Sequence, residues 1–574
     1  MPKGAQWLIR ESPADEVFTP EKLSEDHRLI ARTAQEFVAN EVAPALPDLE
    51  KKNWTVARRL VARAGELGLL GVDVPEPLGG AGFDKAAAIV VGDAVGDAAS
   101  FAMAYGAQAG LTMIPILCFG TPAQQQHYLP RIISGELIGA YCLSESGSGS
   151  DALAARAKAV KQADGSWLLT GEKMWITNGG FADLFIVFAK VDGEHFSAFI
   201  VERGFPGVTN GKEEHKMGLH GSSTTPLVLQ DAKVPGANLL GEVGKGHKIA
   251  FNVLNYGRFK LAATCTGVAR ATIGEAVRYA LGRRQFGQPI ASFGAIRSKL
   301  AEMTLRLYAV ESMLFRTTGL IDRAIAASGT HDDGQAIAAA LEEFAIEASL
   351  LKVAGSEMAD FVVDENVQIH GGNGFVGDYP AERRYRDARV NRIFEGTNEI
   401  NRLILPATLI KRGTKANPGL IDAMQAVRHD EVTAAPQDVA TSLRQTVLLA
   451  VGLAMDTHGD NLPKEQETLM ALADLMIDAF GADSATLRAS QAAAISHPLA
   501  ALHADAASVI AHDAGLRAEA TARTLFASML NGEAQRAALA ALRRLLDVPP
   551  VNTIAARRRL ADAVTSRRGY PFGA

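Results

Sequence analysis

Leu137-Ile-Gly-Ala-Tyr-Cys-Leu-Ser144 opens a β-rich passage that continues through Ser166-Trp-Leu-Leu-Thr-Gly-Glu-Lys-Met-Trp-Ile-Thr177, Asp183-Leu-Phe-Ile-Val-Phe-Ala-Lys-Val191, Phe196-Ser-Ala-Phe-Ile-Val-Glu-Arg-Gly204 and Thr225-Pro-Leu-Val-Leu-Gln-Asp-Ala-Lys-Val234. Gly, Asp and Asn turn residues separate these runs. On both sides the texture is helical. Thr19-Pro20-Glu21 reads as an N-cap with proline in the first turn, and Ile30, Ala34, Phe37 and Val38 recur at helical spacing. From Gly244 the period returns in long stretches such as 337–362 and lasts to about Arg412. The order is therefore an α domain over 20–136, a central β domain over 137–243 and a second helical domain over 244–412. The runs 413–423 and 429–438 read as linker. Beyond them about 135 Ala-rich residues, with Leu469, Leu472, Met476 and Phe480 on one helical stripe, predict an additional helical domain over 430–574. The fold class is mainly α with a central β domain.

The chain has 574 residues, more than one hydrophobic core supports, so about two to four packed units are expected. Its 48% hydrophobic and 21% charged residues are ordinary globular usage. Fifty-eight Lys and Arg against 64 Asp and Glu give a net charge of −6, without the basic surplus that a phosphate backbone demands, so nucleic acid is not expected as a partner. Cys118, Cys142 and Cys265 are too scattered for a disulfide framework or a zinc site and read as small core residues in a reducing compartment. No metal is expected: His215 and His220 lie in a turn-prone stretch without a ligand pattern. The apolar runs, such as 448–455, fall short of the roughly 20 residues a bilayer span needs. The first residues resemble neither a signal nor a transit peptide, and a cytoplasmic location is the expectation.

Four stretches are candidates for chemistry. Tyr141-Cys-Leu-Ser-Glu-Ser-Gly-Ser-Gly-Ser-Asp151 ends a strand among glycines and hydroxyls, so several backbone N–H groups converge on a phosphate or a flat polar edge, or the stretch is simply a loop. Lys173-Met-Trp-Ile-Thr-Asn-Gly-Gly180 puts Trp175 and Thr177 on one strand face by period-two alternation, facing a ligand or the core. Gln368-Ile-His-Gly-Gly-Asn-Gly-Phe375 offers glycines for close backbone approach, or a helix C-cap. In Arg392-Ile-Phe-Glu-Gly-Thr-Asn-Glu-Ile400, Glu395 is either a solvated loop carboxylate or a desolvated one, raised toward the range a general base needs. Gly241-Glu-Val-Gly-Lys-Gly-His-Lys248 lacks the ending of a P-loop.

Taken in order, YCLSESGSGSDA, KMWITNGG, NYGRF, RRQFGQPI, QIHGGNGF and RIFEGTNEI closely resemble the acyl-CoA dehydrogenase flavoproteins over residues 20–412, and the additional domain resembles the very-long-chain branch. The resemblance implies an N-terminal helical domain, a β-barrel or sandwich, a C-terminal four-helix bundle and the extra helical domain. It also implies FAD and the α,β-dehydrogenation of acyl-CoA to trans-2-enoyl-CoA, the first step of fatty-acid β-oxidation. Glu395 matches the base, which takes the α proton while the β hydrogen leaves as hydride to the flavin.

By the same resemblance, Tyr141, Leu143, Ser144, Gly149 and Ser150 match the flavin-contacting β segment, and Trp175 and Thr177 match residues covering one flavin face. Arg283, Phe286, Gln368 and Gly372 match the groups holding the pyrophosphate and adenosine half, which arrive from a neighbouring subunit, so a homodimer is implied. Thr397 and Glu399 match positions near the adenine diphosphate. Ser150, Asn255, Arg258 and Gly396 match contacts to the CoA moiety or thioester; Arg258 is otherwise a surface ion-pair partner. Gly106, Gly110, Thr112 and Pro115 lie on the helix that floors the acyl pocket in long-chain relatives. Electron-transfer flavoprotein is the implied acceptor. Alternatives are an acyl-CoA oxidase reoxidised by O2 and a flavoprotein scaffold assisting assembly of a respiratory complex. Arg557-Arg558-Arg559 and Arg567-Arg568, with Tyr570 and Phe572, give a basic, aromatic-tipped end from which peripheral membrane contact is expected, or else a solvated helix face.

Overall fold

Helices in the computed structural model, which describes residues 3–329, 333–415, 418–428 and 438–573, begin where side chains cap them. Ser24 Oγ accepts from His27 N while the His27 ring meets Ser24 N, which closes the first turn of Glu25–Phe37. Thr121 and Gln124 do the same for Pro122–Ile133. Thr19-Pro20-Glu21 opens only the short 3-10 turn Pro20–Lys22, because no side chain caps it. Further on, Phe101–Phe119 forms one apolar stretch with a π-helical turn over Ala107–Thr112. Among the described residues it alone is long and apolar enough to cross a membrane, and the sequence reading passed over it. It is 83% buried inside the protein, as a core helix is.

The β region has eight strands: β1 (Gly139–Cys142), β2 (Lys158–Lys161), β3 (Trp167–Thr177), β4 (Leu184–Val191), β5 (His195–Glu202), β6 (Val208–Asn210), β7 (Thr224–Val234) and β8 (Leu239–Leu240). They form one sheet in the order β6-β7-β3-β2-β4-β5-β8, with β1 beside β4. The almost unbroken apolar run of β4 reflects its central place, buried along nearly its whole length. β1 pairs parallel to it, Tyr141 opposite Ile186, so the hydroxyl- and glycine-rich loop emerges at an end of β1.

The second helical domain is built on Gly246–Gly282, Gly294–Ala327, Ala345–His370 and Asn398–Lys415. The stretch expected as one helix over 337–362 is two, broken at the buried Phe344. Much of 413–423 is helix rather than linker: Asn398–Lys415 runs through Gly413, and Pro418 begins Pro418–Arg428, a position its fixed φ suits. Of the run 429–438, only Asp438 lies within the described residues; it caps Val439–His458 through Thr441 N at 2.8 Å. Leu469, Leu472, Met476 and Phe480 are all buried, as their stripe predicts.

The additional domain is joined to the rest through buried charge. Arg488, 0% exposed, lies between Glu21 of the N-terminal segment at 2.6 Å and Glu311 of Gly294–Ala327 at 2.7 Å. Glu311 also pairs with Arg270 and accepts from Tyr570 Oη at 2.8 Å. The Arg488 guanidinium covers the rings of Tyr308 and Phe572. The aromatic part of the expected membrane-facing end is corrected here. Tyr570 and Phe572 are buried in the seam and Arg557 pairs with Glu302 and Asp513, whereas Arg558, Arg559, Arg567 and Arg568 stay exposed, Arg559 beside Asp505. Removing Arg488 leaves two buried carboxylates short of a cation, a loss of about 3–5 kcal/mol. We therefore expect Arg488→Met to lower the midpoint of urea unfolding and to expose residues 3–23 to limited proteolysis.

Candidate active site

Glu395 lies between the turn Arg389–Arg392 and the helix Asn398–Lys415, with φ +58. That left-handed conformation is costly for a residue with a Cβ, so it persists only where neighbours hold it. Arg258 Nε donates to the Glu395 carbonyl at 3.2 Å, and Asn401 Nδ2 donates to the carbonyls of Gly396 at 2.8 Å and Thr397 at 3.0 Å. Gly396 has φ +78, and a Cβ there would come within 3.2 Å of Asn401 and 3.4 Å of Arg258. The side chain folds against helix Gly246–Gly282, where a Cβ on Gly257 would lie 2.5 Å from Glu395 Oε2. The residue as a whole is half-buried, yet Oε2 is buried without a hydrogen-bond partner. Burial pushes the carboxyl up to about 7, against the opposing charges of Arg258 and Lys352. The solvated-loop alternative is thereby excluded.

Tyr141 shares this place: its Oη is likewise buried without a partner, and burial together with the Glu395 charge holds the phenol well above its ordinary range. From β1 the backbone runs through the buried Leu143 to Ser144, whose carbonyl accepts from Met174 N of β3 at 3.0 Å. Lys173 and Glu145 pin this junction. Lys173 Nζ, fully buried, donates to Glu145 Oε1 at 2.6 Å and to the Leu143 carbonyl at 3.2 Å. Glu145 also accepts from the backbone of Arg156 and Ala157. Beyond it Gly149 and Ser150 are exposed, and a Cβ on Gly147 or Gly149 would meet nothing.

The alternation expected for Trp175 and Thr177 is interrupted. β3 carries a bulge against β7 between Lys173 and Ile176, and Trp175 sits in it with φ +59 and 59% exposed, whereas Thr177 is half-buried. Both remain at the strand end tied to Ser144, and the bulge rather than parity turns the indole outward.

Asn255 and Arg258 are both buried. Arg258 Nη1 donates to Asn255 Oδ1 at 3.1 Å and to Ser349 Oγ at 3.4 Å, so the guanidinium supports the base from behind and is no surface ion-pair partner. Thr397 Oγ1 accepts from Ile400 N and engages the exposed Glu399, so this pair caps the helix after the base.

A second group lies elsewhere. Arg283 follows the last turn of Gly246–Gly282, Phe286 is 93% exposed in the hairpin after it, and Gln368 and Gly372 sit exposed at the end of Ala345–His370. Tyr279 stacked on His370 at 4.0 Å brings the two helix ends together. Arg283 is 26 residues beyond Gly257, which at 1.5 Å per residue is about 39 Å along the helix. The expected site residues thus divide into one group around Glu395 and another at the far end of the bundle.

Gly257, Lys352, Asn401, Glu145 and Lys173 were missed in the sequence. A glycine inside a long helical period was the available signal for Gly257; the others carried none. The two unpartnered polar atoms, the outward indole and the open glycine loop fit a flat, polar-edged cofactor such as FAD.

Comparison with known proteins agrees. Family models described as the N-terminal, middle and C-terminal domains of acyl-CoA dehydrogenase match residues 24–136, 140–232 and 244–410, and a further C-terminal domain model of the same name matches 442–544. The chain is 44% identical to "Probable acyl-CoA dehydrogenase" of Bacillus subtilis (strain 168), over 99% of this chain and 98% of that one. It is 36% identical to the mitochondrial very long-chain specific acyl-CoA dehydrogenase of Rattus norvegicus, over 76% of this chain and 70% of that one. The crystal structure of an acyl-CoA dehydrogenase complexed with FAD from Bacillus anthracis superposes with a TM-score of 0.97 at 43% identity, covering 99% of this chain and 100% of that one. The chain belongs to the acyl-CoA dehydrogenase family and is an FAD-dependent oxidoreductase.

Proposed function

We propose that the chain converts long-chain fatty acyl-CoA to trans-2-enoyl-CoA as the first step of β-oxidation, with Glu395 as the base. The observation that carries this reading is the buried, unpartnered Glu395 Oε2, held against the bare backbone of Gly257. A thioester α C–H is a weak acid, so its base must be ionised near neutral pH and yet poorly solvated. Burial supplies the basicity, and Arg258 and Lys352 keep a usable fraction of the carboxylate charged. The held backbone at Glu395 and Gly396 fixes the carboxylate's direction, and the Glu395 N–H is the donor that would meet developing enolate charge. Tyr141, Leu143, Ser144, Gly149, Ser150, Trp175 and Thr177 would hold FAD, which when bound would supply the acceptor for the β hydride.

A homodimer is supported by the distance between the two groups: Arg283, Phe286, Gln368 and Gly372 lie too far along the helix to serve the same cofactor as Glu395, and so serve the partner's. Electron-transfer flavoprotein as acceptor rests on the family. The long-chain reading rests on the match of the additional domain and on Gly106, where a Cβ would meet nothing within 4 Å. Gly110, by contrast, faces the Tyr256 ring, and Thr112 and Pro115 are buried.

Anaerobic bleaching of the flavin absorbance by acyl-CoAs of graded length tests the reading. Glu395→Gln should abolish bleaching while FAD stays bound; retained bleaching would refute the assignment. Because the base works deprotonated and titrates near 7, the wild-type bleaching rate should rise about tenfold per unit below that pH and level off above it. Gly257→Ala crowds the carboxylate and should slow bleaching by about tenfold or more at unchanged FAD content. Gly106→Phe should lose long-chain substrates and keep short ones, as read by bleaching across the series.

A further inference from the structure

A chain of polar side chains runs from Lys352, whose charge acts on the Glu395 carboxyl, to the additional domain. Lys352, 0% exposed on Ala345–His370, donates from Nζ to Asn398 Oδ1 at 2.6 Å. Asn398 is the first residue of the helix that follows Glu395-Gly396-Thr397, and it is itself 2% exposed. Its Nδ2 donates to Ser356 Oγ at 3.1 Å and to Glu357 Oε1 at 3.0 Å. Glu357 takes both terminal nitrogens of Arg402, at 2.6 and 3.0 Å. Arg402 Nε then donates to Asp474 Oδ1 at 2.8 Å, and Asp474 belongs to Gln466–Ala494 of the additional domain. Every link is a directional bond, and most carry charge, so the chain fixes geometry better than apolar contact would.

We propose that Lys352 is a positioning residue for Glu395 and that Asp474 is its remote anchor, so that the additional domain takes part in the chemistry as well as in the packing. This rests on Glu395 being the base. A cation beside a buried carboxylate favours the ionised form, and the benefit depends on where the cation is held. The charged and titratable groups facing Glu395 are Arg258 from Gly246–Gly282, Lys352 from Ala345–His370 and Tyr141 from β1; Lys352 in turn faces Cys265, Arg258 and Glu399. Arg258 is committed to the Glu395 carbonyl, to Asn255 and to Ser349, none of which reaches the additional domain. Lys352 is held by Asn398, whose helix carries Arg402 to the additional domain.

The test is the pH profile of anaerobic flavin bleaching in the FAD-loaded full chain, with the infrared carboxyl band that Glu395→Gln removes as a readout independent of turnover. Lys352→Met should move both midpoints upward by about one unit. Asp474→Ala, at a half-exposed site that tolerates truncation, should move them in the same direction by about half a unit with FAD content unchanged, and Asp474→Glu should restore them. In the Lys352→Met background, Asp474→Ala should add no further shift. Wild-type midpoints in Asp474→Ala, or the same shift with and without Lys352, would overturn the proposal. If Lys352→Met does not fold, the alanine and glutamate variants at 474 decide it alone. Bleaching by Glu395→Gln would instead refute the base assignment and leaves a separate signature.

Discussion

An ionisable carboxyl in a dry place without a hydrogen-bond partner is an unfavourable arrangement, and much of this structure makes sense as what keeps Glu395 in it. The cost is local and double: a left-handed backbone, and an oxygen removed from water. Both are met by elements far apart in the chain. The long helix contributes Gly257, which leaves room for the carboxylate, and Arg258, which holds its carbonyl; the following helix contributes Asn401. The sheet brings Tyr141 to the same spot through the pairing of β1 with the central strand β4, and the buried Lys173 and Glu145 keep the loop beyond it in place.

The same logic recurs at the seam with the additional domain, with the opposite outcome for the charges. Arg488, Glu21, Glu311 and Arg270 are as dry as Glu395 but find partners among themselves, so they join surfaces instead of waiting for a substrate. Buried ions are thus arranged in two ways: satisfied ones specify how domains meet, and at Glu395 an unsatisfied carboxylate oxygen is left at the candidate site.

The parts legible in the sequence were those with local signals. Strand runs bounded by turn residues and the apolar stripe through Leu469 and Phe480 read correctly because period and turn chemistry act over a few residues. What failed depended on tertiary context. The bulge at Trp175 is set by pairing with β7, so parity gave the wrong reason for its exposure. Tyr570 and Phe572 read as a surface tip because nothing near them reveals that Glu311 and Arg488 lie overhead. Lys352 looks like any helical lysine, and Asn255 and Arg258 keep their motif while facing inward.

The seam has a consequence for how the molecule is made. Its N-terminal segment supplies Glu21 and Trp7, the latter packed on Phe480, and its last described residues supply Tyr570 and Phe572. Segments early in the chain therefore reach their final burial only after segments far downstream have been made. Glu21 of the N-terminal segment and Glu311 of the second helical domain lack the Arg488 cation until the additional domain has been made, so this ionic seam closes late in folding.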